Sequence, residues 1–260
     1  MYNINILKKT IENLITSNKE DISLVFLDLK KPSNHIYIKE NEVFPSASTI
    51  KVLIMAEALN EVLSGNHALE EKIEIKSSDK VNYSIVTCLT NKIYPLIDLL
   101  TLMIISSDNT ASNILIDLLT MDSINNYGKK IGLKTTLLRR KMMDSNAAKE
   151  GRENITTAFD MLTLFSKIYN KKILSPDMCD LMLKILSNNT DCEVLLRYLC
   201  DDIRCAHKTG DLPHLNHDIG IFRTENAEYI LGVFVRSVQF NYEAKDTIGK
   251  ISKEIHDFIA

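Results

Sequence analysis

The chain has 260 residues, 45% hydrophobic and 25% charged, with a formal net charge of −3. That is an ordinary globular mixture, long enough for one large domain or two interleaved ones, and its overall charge gives no hint of nucleic-acid binding, though charge alone leaves room for a local basic site. No apolar run approaches the roughly 18–20 residues that span a bilayer, and five cysteines without a CxxC pair argue against a disulfide frame or a zinc site and for a reducing compartment.

Residues 4–17 predict a helix, with Ile4, Leu7, Ile11 and Leu14 on one face. The opening stretch MYNINILKKTIENLITSNKE lacks an apolar h-region and a cleavage site, so a cytoplasmic location is expected unless an export signal has been removed. ISLVFLDL over 22–29 reads as a strand, KPSN as a turn, and 35–39 as a second strand. A long helix then runs to about Leu63, ended by Ser64-Gly65-Asn66, and 73–76 has the pattern of a short strand. Helices are expected over 97–105, 109–119, 123–130, 158–169 and 176–187. The stretch 138–156 shows no period and reads as a long functional surface loop. Strands return at 203–208, 217–223 and 228–237, and 242–259 is a final amphipathic helix.

Strands on both sides of a helical middle predict an α/β (α+β) fold. Its mixed or antiparallel sheet would be built from both termini, with flanking helices and an inserted all-helical domain. The expected division is a discontinuous sheet domain, 1–48 with 190–260, a helical domain over 49–189, and an active-site cleft between them.

Three short motifs carry chemistry. Ser48-Thr49-Ile50-Lys51 is an SxxK, a pattern expected about once by chance in a chain of this size, and Ser77-Ser78-Asp79-Lys80 is a second copy. Only Ser48 precedes a long apolar helix. Positions i and i+3 share a helical face, so a neutral lysine amine there can take the serine proton, whereas a capping serine and a snorkelling lysine would give the same letters. Ser107-Asp108-Asn109 occurs once, at a turn between two buried helices. Its amide can hold a lysine amine and a substrate carbonyl together, while Asp108 is expected to cap or anchor the turn. Lys208-Thr209-Gly210 also occurs once, at the end of a strand. A cation and a hydroxyl there suit a substrate carboxylate, and glycine lets a substrate come close. Backbone N–H groups of Ser48 and Asp211 are candidates for an oxyanion hole.

The order SxxK, SDN, KTG resembles the serine beta-lactamase and penicillin-binding superfamily, and within it the class A-like branch. The segments Phe44 to Lys51, Leu99 to Asn113, Thr156 to Met161 and His217 to Phe222 carry the resemblance over nearly the whole chain. It implies a beta-lactamase/transpeptidase-like fold and a serine hydrolase that opens a beta-lactam ring through a Ser48 acyl-enzyme. Lys51 would be the general base, and Ser107 would pass a proton to the leaving nitrogen. Asn109 would hold Lys51 and the substrate, and Lys208, Thr209 and Asp211 would bind substrate. His207 would be structural. Tyr83 and Ser84 would line the cleft. No cofactor or metal is implied. The partner is a beta-lactam or small acyl or peptide substrate, with no nucleic acid, no membrane span, and a monomer expected.

The resemblance frays in the loop LRRKMMDSNAAKEGRENITTA. Counting back from Thr156 puts Lys141 where the family carries its water-activating glutamate, Arg139 at the loop arginine, and Asn154 in place of its aspartate partner. Asp144, Glu150 and Glu153 are the nearby carboxylates that could serve instead. Without that base, the alternative is a D-alanyl peptidase, esterase or slow penicillin-binding enzyme that acylates but deacylates poorly.

Overall fold

In the computed structural model, which describes residues 3–16, 20–200 and 202–259, the chain runs as follows. Helix α1 (Ile4–Thr16) precedes strands β1 (Asp21–Asp28), β2 (His35–Ile38) and β3 (Phe44–Pro45). A 3-10 turn over Ala47–Ile50 leads into α2 (Lys51–Leu63), followed by β4 (Lys72–Glu74) and β5 (Ile93–Pro95). Next come α3 (Leu96–Ile105), α4 (Asn109–Leu119), α5 (Met121–Lys130), α6 (Ser145–Lys149) and β6 (Ile155–Thr156). Helices α7 (Ala158–Tyr169) and α8 (Pro176–Leu186) lead to β7 (Arg204–Leu212), β8 (Leu215–Arg223), β9 (Glu228–Arg236) and α9 (Asn241–Ile259).

The strands on either side of the helical stretch join in one five-stranded sheet, ordered β2-β1-β9-β8-β7, antiparallel throughout. Alternation along each strand divides its side chains between two cores. Leu24, Phe26, Tyr229, Leu231 and Val233 meet Leu7 and Ile11 of α1 and Ile248, Ile251 and Ile255 of α9. Val25, Ile219, Ile221, Ile230 and Phe234 belong to the core that the middle helices fill. Helix α2 is buried from Lys51 through Leu59, and apart from Lys51 and Glu57 that stretch is apolar on every side.

Side-chain caps fix where the helices start. Asp108, Thr120, Asp144, Thr157 and Ser175 each accept a first-turn N–H, at α4, α5, α6, α7 and α8 respectively, each cap worth about 1 kcal/mol. Two expectations need correction, and one alternative falls. The 138–156 stretch contains α6 and ends in β6, because a five-residue helix is too short to show a period. Strand β7 continues to Leu212, so Lys208-Thr209-Gly210 lies inside the strand; Leu212 pairs with Leu215 across the tight Pro213-His214 turn. The serine of SxxK is no cap: it sits within the 3-10 turn, and neither that turn nor α2 has a side-chain N-cap bond. Of the expected first helix, residue 17 lies outside the described residues.

Strand β7 is an edge of the sheet, and the 3-10 turn that carries Ser48 packs along it. Gly210 permits this. A Cβ there would stand 3.0 Å from Ala47 Cβ and 3.3 Å from Ser46 O.

Candidate active site

A cleft of about 1120 Å³ opens between the β7 edge, the Ser48 turn, the 106–109 turn and the 140–154 loop. Ser48 lines it and is half-buried. The turn beneath is pinned: Ser46 N donates to Asn154 O at 2.7 Å, and Thr49 Oγ1 donates to Ser46 O at 2.6 Å. Ala47, Tyr83, Ser107 and Met143 all line the cleft with φ between +45° and +65°. Left-handed backbone at non-glycine residues costs on the order of 1 kcal/mol or more each, and here the surrounding contacts hold it at the mouth of one cavity.

Lys51 is the first residue of α2 and is wholly buried. Its Nζ donates to Ser107 O at 2.6 Å, Ser107 Oγ at 3.1 Å and Asn109 Oδ1 at 2.9 Å. Burial, reinforced by the positive charge of Lys208, drives its proton affinity well below the ordinary lysine range, and Asp108 only partly offsets this. The structure thus brings Lys51, Ser107 and Asn109 into direct contact, with Ser48 three residues before the lysine on the same turn.

Asp108 is fully buried and anchors the turn, as expected of it. Its Oδ1 accepts from Ala111 N and its Oδ2 from Val86 N, both at 2.9 Å. Asn109 Nδ2 donates to Asn82 O at 3.3 Å, joining the turn to the segment that carries Tyr83. Tyr83 lines the cleft and is 81% exposed, whereas Ser84 bonds to Thr110 behind the wall.

The KTG residues stand behind the cleft surface. Lys208 is fully buried, donates to Thr209 O at 2.9 Å, and is pushed down to about 8 by burial. Thr209 is also buried, and neither is among the residues lining the cavity, while Asp211 is. His207 is buried with Nδ1 3.0 Å from each Asp218 oxygen and is not among the residues lining the cleft.

The loop differs from the residue count. Lys141 turns outward to an ion pair with Asp117 at 2.6 Å, and Arg139 is exposed. The buried loop arginine is Arg140, bound to Glu153 at 2.6 Å. Asn154 accepts the N–H groups of Arg139 and Arg140 at 2.7 and 3.0 Å, so it organises the loop by hydrogen bonds where a charge was expected. These contacts, which no periodicity announces, set which loop side chains face the cavity. Met142 and Met143 face the cavity instead, and Asn113 clamps Met142 through both backbone groups, at 2.7 and 3.0 Å. Sequence reasoning passed over Asn113; its position four residues after Asn109, one turn along the same helix, was the available signal. The loop carboxylates are all engaged: Asp144 caps α6, Glu150 pairs with Arg152, and Glu153 pairs with Arg140.

Among the described residues, no group of three or more His, Cys, Asp or Glu side chains is placed to hold a metal, and no helix is long and apolar enough to cross a membrane.

A sequence model described as the beta-lactamase enzyme family matches residues 6–259. The chain is 27% identical over 275 residues to beta-lactamase BRO-1 of Moraxella catarrhalis, covering 99% of this chain and 87% of that protein. Its fold superposes on PBP-A with a TM-score of 0.88 at 26% identity, covering 97% and 95% of the two chains. A PBP-A mutant solved as its acyl-enzyme complex with penicillin G gives 0.89 at the same identity, covering 97% and 96%.

Proposed function

This chain belongs to the beta-lactamase enzyme family, and from that premise we propose that it is a serine hydrolase of this clan that forms an acyl-enzyme on Ser48, in a cleft between a sheet domain (1–48 with 190–260) and a helical domain (49–189). The observation that carries the reading is Lys51: a fully buried amine, held by Ser107 and Asn109, with its proton affinity driven down.

Lys51 Nζ, when neutral, takes the Ser48 Oγ proton as the oxygen attacks the substrate carbonyl. The backbone N–H groups of Ser48 and Asp211 face the developing oxyanion. Ser107 Oγ, 3.1 Å from Lys51 Nζ, relays a proton to the leaving nitrogen, so the C–N bond breaks as the serine ester forms. Asn109 fixes the lysine and meets the substrate amide. Lys208 and Thr209 supply the electropositive backing for a substrate carboxylate, and Lys208 also keeps Lys51 from holding its proton.

The second half-reaction is less well equipped. Where a water-activating carboxylate would stand, the loop presents Met142 and Met143, and Glu153 is tied to Arg140. This favours fast acylation and slow release, the behaviour of a penicillin-binding enzyme or D-alanyl peptidase, over efficient beta-lactam turnover. PBP-A, a structural relative, has been captured in mutant form with penicillin G attached.

The test is intact-protein mass against time after adding benzylpenicillin, with peptide mapping and a Ser48→Ala control. A Ser48 adduct lasting hours supports the slow-release reading, and Met142→Glu should then shorten its life by roughly tenfold or more by placing a base beside the ester. An adduct that clears in seconds in the unaltered protein would favour a true beta-lactamase. No Ser48-dependent adduct with penicillin, ester or peptide substrates, in a folded sample, overturns the serine mechanism.

A further inference from the structure

The β7 wall of the cleft ends in an acid. Asp211 is exposed and lines the cavity with Leu212, Pro213 and Asn241. It follows Gly210, which packs against Ala47 of the nucleophile turn. Its carboxylate is aimed by amides: Asn216 Nδ2 donates to Oδ2 at 3.0 Å and Asn241 Nδ2 to Oδ1 at 2.8 Å. Asn241 is itself fixed, donating to Leu212 O at 2.8 Å and accepting His214 N at 2.9 Å.

Such a carboxylate has lone pairs beyond the two that the amides use, and among the described residues no lysine, arginine or histidine forms an ion pair with it. The other charges lining the cleft do not neutralise it. Arg140 and Glu153 pair with each other, and Lys149 stands on the opposite loop. A second observation points the same way. Asn216, 1% exposed, leaves its Oδ1 buried without a partner beside the bond its Nδ2 makes to Asp211. The buried, unpartnered Asn216 Oδ1 thus stands behind an exposed carboxylate that keeps free lone pairs on the cleft side.

We propose that Asp211 makes this cleft select acyl donors that carry an ammonium group where they lie along the β7 wall, and disfavour donors with a carboxylate there. An ammonium brings three N–H donors and a charge that the fixed carboxylate meets without reorganising. A carboxylate in the same place meets like charge, the repulsive element by which a site rejects a competitor. This rests on the Ser48 acyl-enzyme reading and names its substrate class.

The experiment uses phenylacetyl thioesters in matched sets, with an ammonium, a neutral acetamide or a carboxylate placed on either the acyl or the thiol half. Ser48 attacks the thioester carbon, the C–S bond breaks, and the thiol leaves with the relayed proton. Adduct formation is followed by intact mass in the unaltered protein and in Asp211→Asn. The ammonium donor should acylate about two- to tenfold faster than its neutral twin in one placement, and the carboxylate donor slower by a like factor. Asp211→Asn should erase that order, and raised salt should shrink it. Equal rates for all three charges in both placements overturn the proposal. Should neither the thioesters nor penicillin, ester or peptide substrates label Ser48, the functional reading fails instead. Calorimetric binding of the same compounds to Ser48→Ala then decides Asp211 separately: an order of affinity from ammonium to carboxylate that Asp211→Asn abolishes supports it, and indifference to charge refutes it.

Discussion

Two stretches of this chain spell SxxK, and the fold treats them oppositely. Ser77 and Lys80 lie exposed at a 3-10 turn with no apolar helix after it. Ser48 and Lys51 bridge a pinned turn and a buried helix, where three oxygens surround the lysine amine. The spacing is the same, so the spacing supplies only proximity. On the proposed mechanism, reactivity comes from removing water around Lys51 and from a neighbouring cation that makes its proton unwelcome.

The sharpest way to break the comparison is to exchange its members. Ser48→Ala should abolish covalent labelling by penicillin altogether, while Ser77→Ala leaves it unchanged; labelling that survives Ser48→Ala would remove the distinction. Lys51→Ala should slow adduct formation by roughly 10²–10⁴-fold, the range typical of a lost general base. The rate in the unaltered protein should also fall on the acid side as Lys51 gains its proton. A rapid-quench pH profile unaffected by Lys51→Ala would count against the lysine as base.

A smaller effect concerns stability and has the opposite sign. Keeping an amine buried with a depressed proton affinity means the unfolded chain binds the proton more readily, so folding is penalised below the ordinary lysine value of 10.5 and the penalty fades as pH rises toward it. Lys51→Met should therefore raise stability by about 1 kcal/mol or more near neutral pH while destroying activity, and the gain should narrow in alkali. Urea titrations at two pH values measure this; a less stable Lys51→Met would show that the polar contacts outweigh the desolvation. Smallest of all, Lys80→Ala should change stability by no more than about 0.5 kcal/mol, as exposed substitutions do.

Much of this was legible before the fold was known. Period-2 and period-3.6 patterns place the strands and helices, and the motif order brings Ser48, Lys51, Ser107 and Asn109 to one candidate centre. The loop was legible only in outline. Residue counting assumes a loop of fixed length, but its register depends on Asn154, Asn113 and the Arg140–Glu153 pair. Hence Met142, not Lys141, came to face the cavity. Burial was also out of reach. A cation in KTG reads as a surface contact, yet Lys208 lies wholly inside, and only packing against the sheet decides that.

The sheet has a further consequence, for how the molecule is made. Asp21 of β1 aligns with Arg236 of β9, while β7, the cleft's wall, is held through β8 and β9. At the ~5–20 residues per second of ribosomal synthesis, the first strands wait on the order of ten seconds or more for their partner. During that interval an apolar strand pair has an open edge, the condition that invites aggregation, and pairing so distant in sequence folds slowly. A nascent chain that already contains Ser48, Lys51 and Asn109 still has no β7 wall, so covalent labelling should appear only after β9 has joined the sheet.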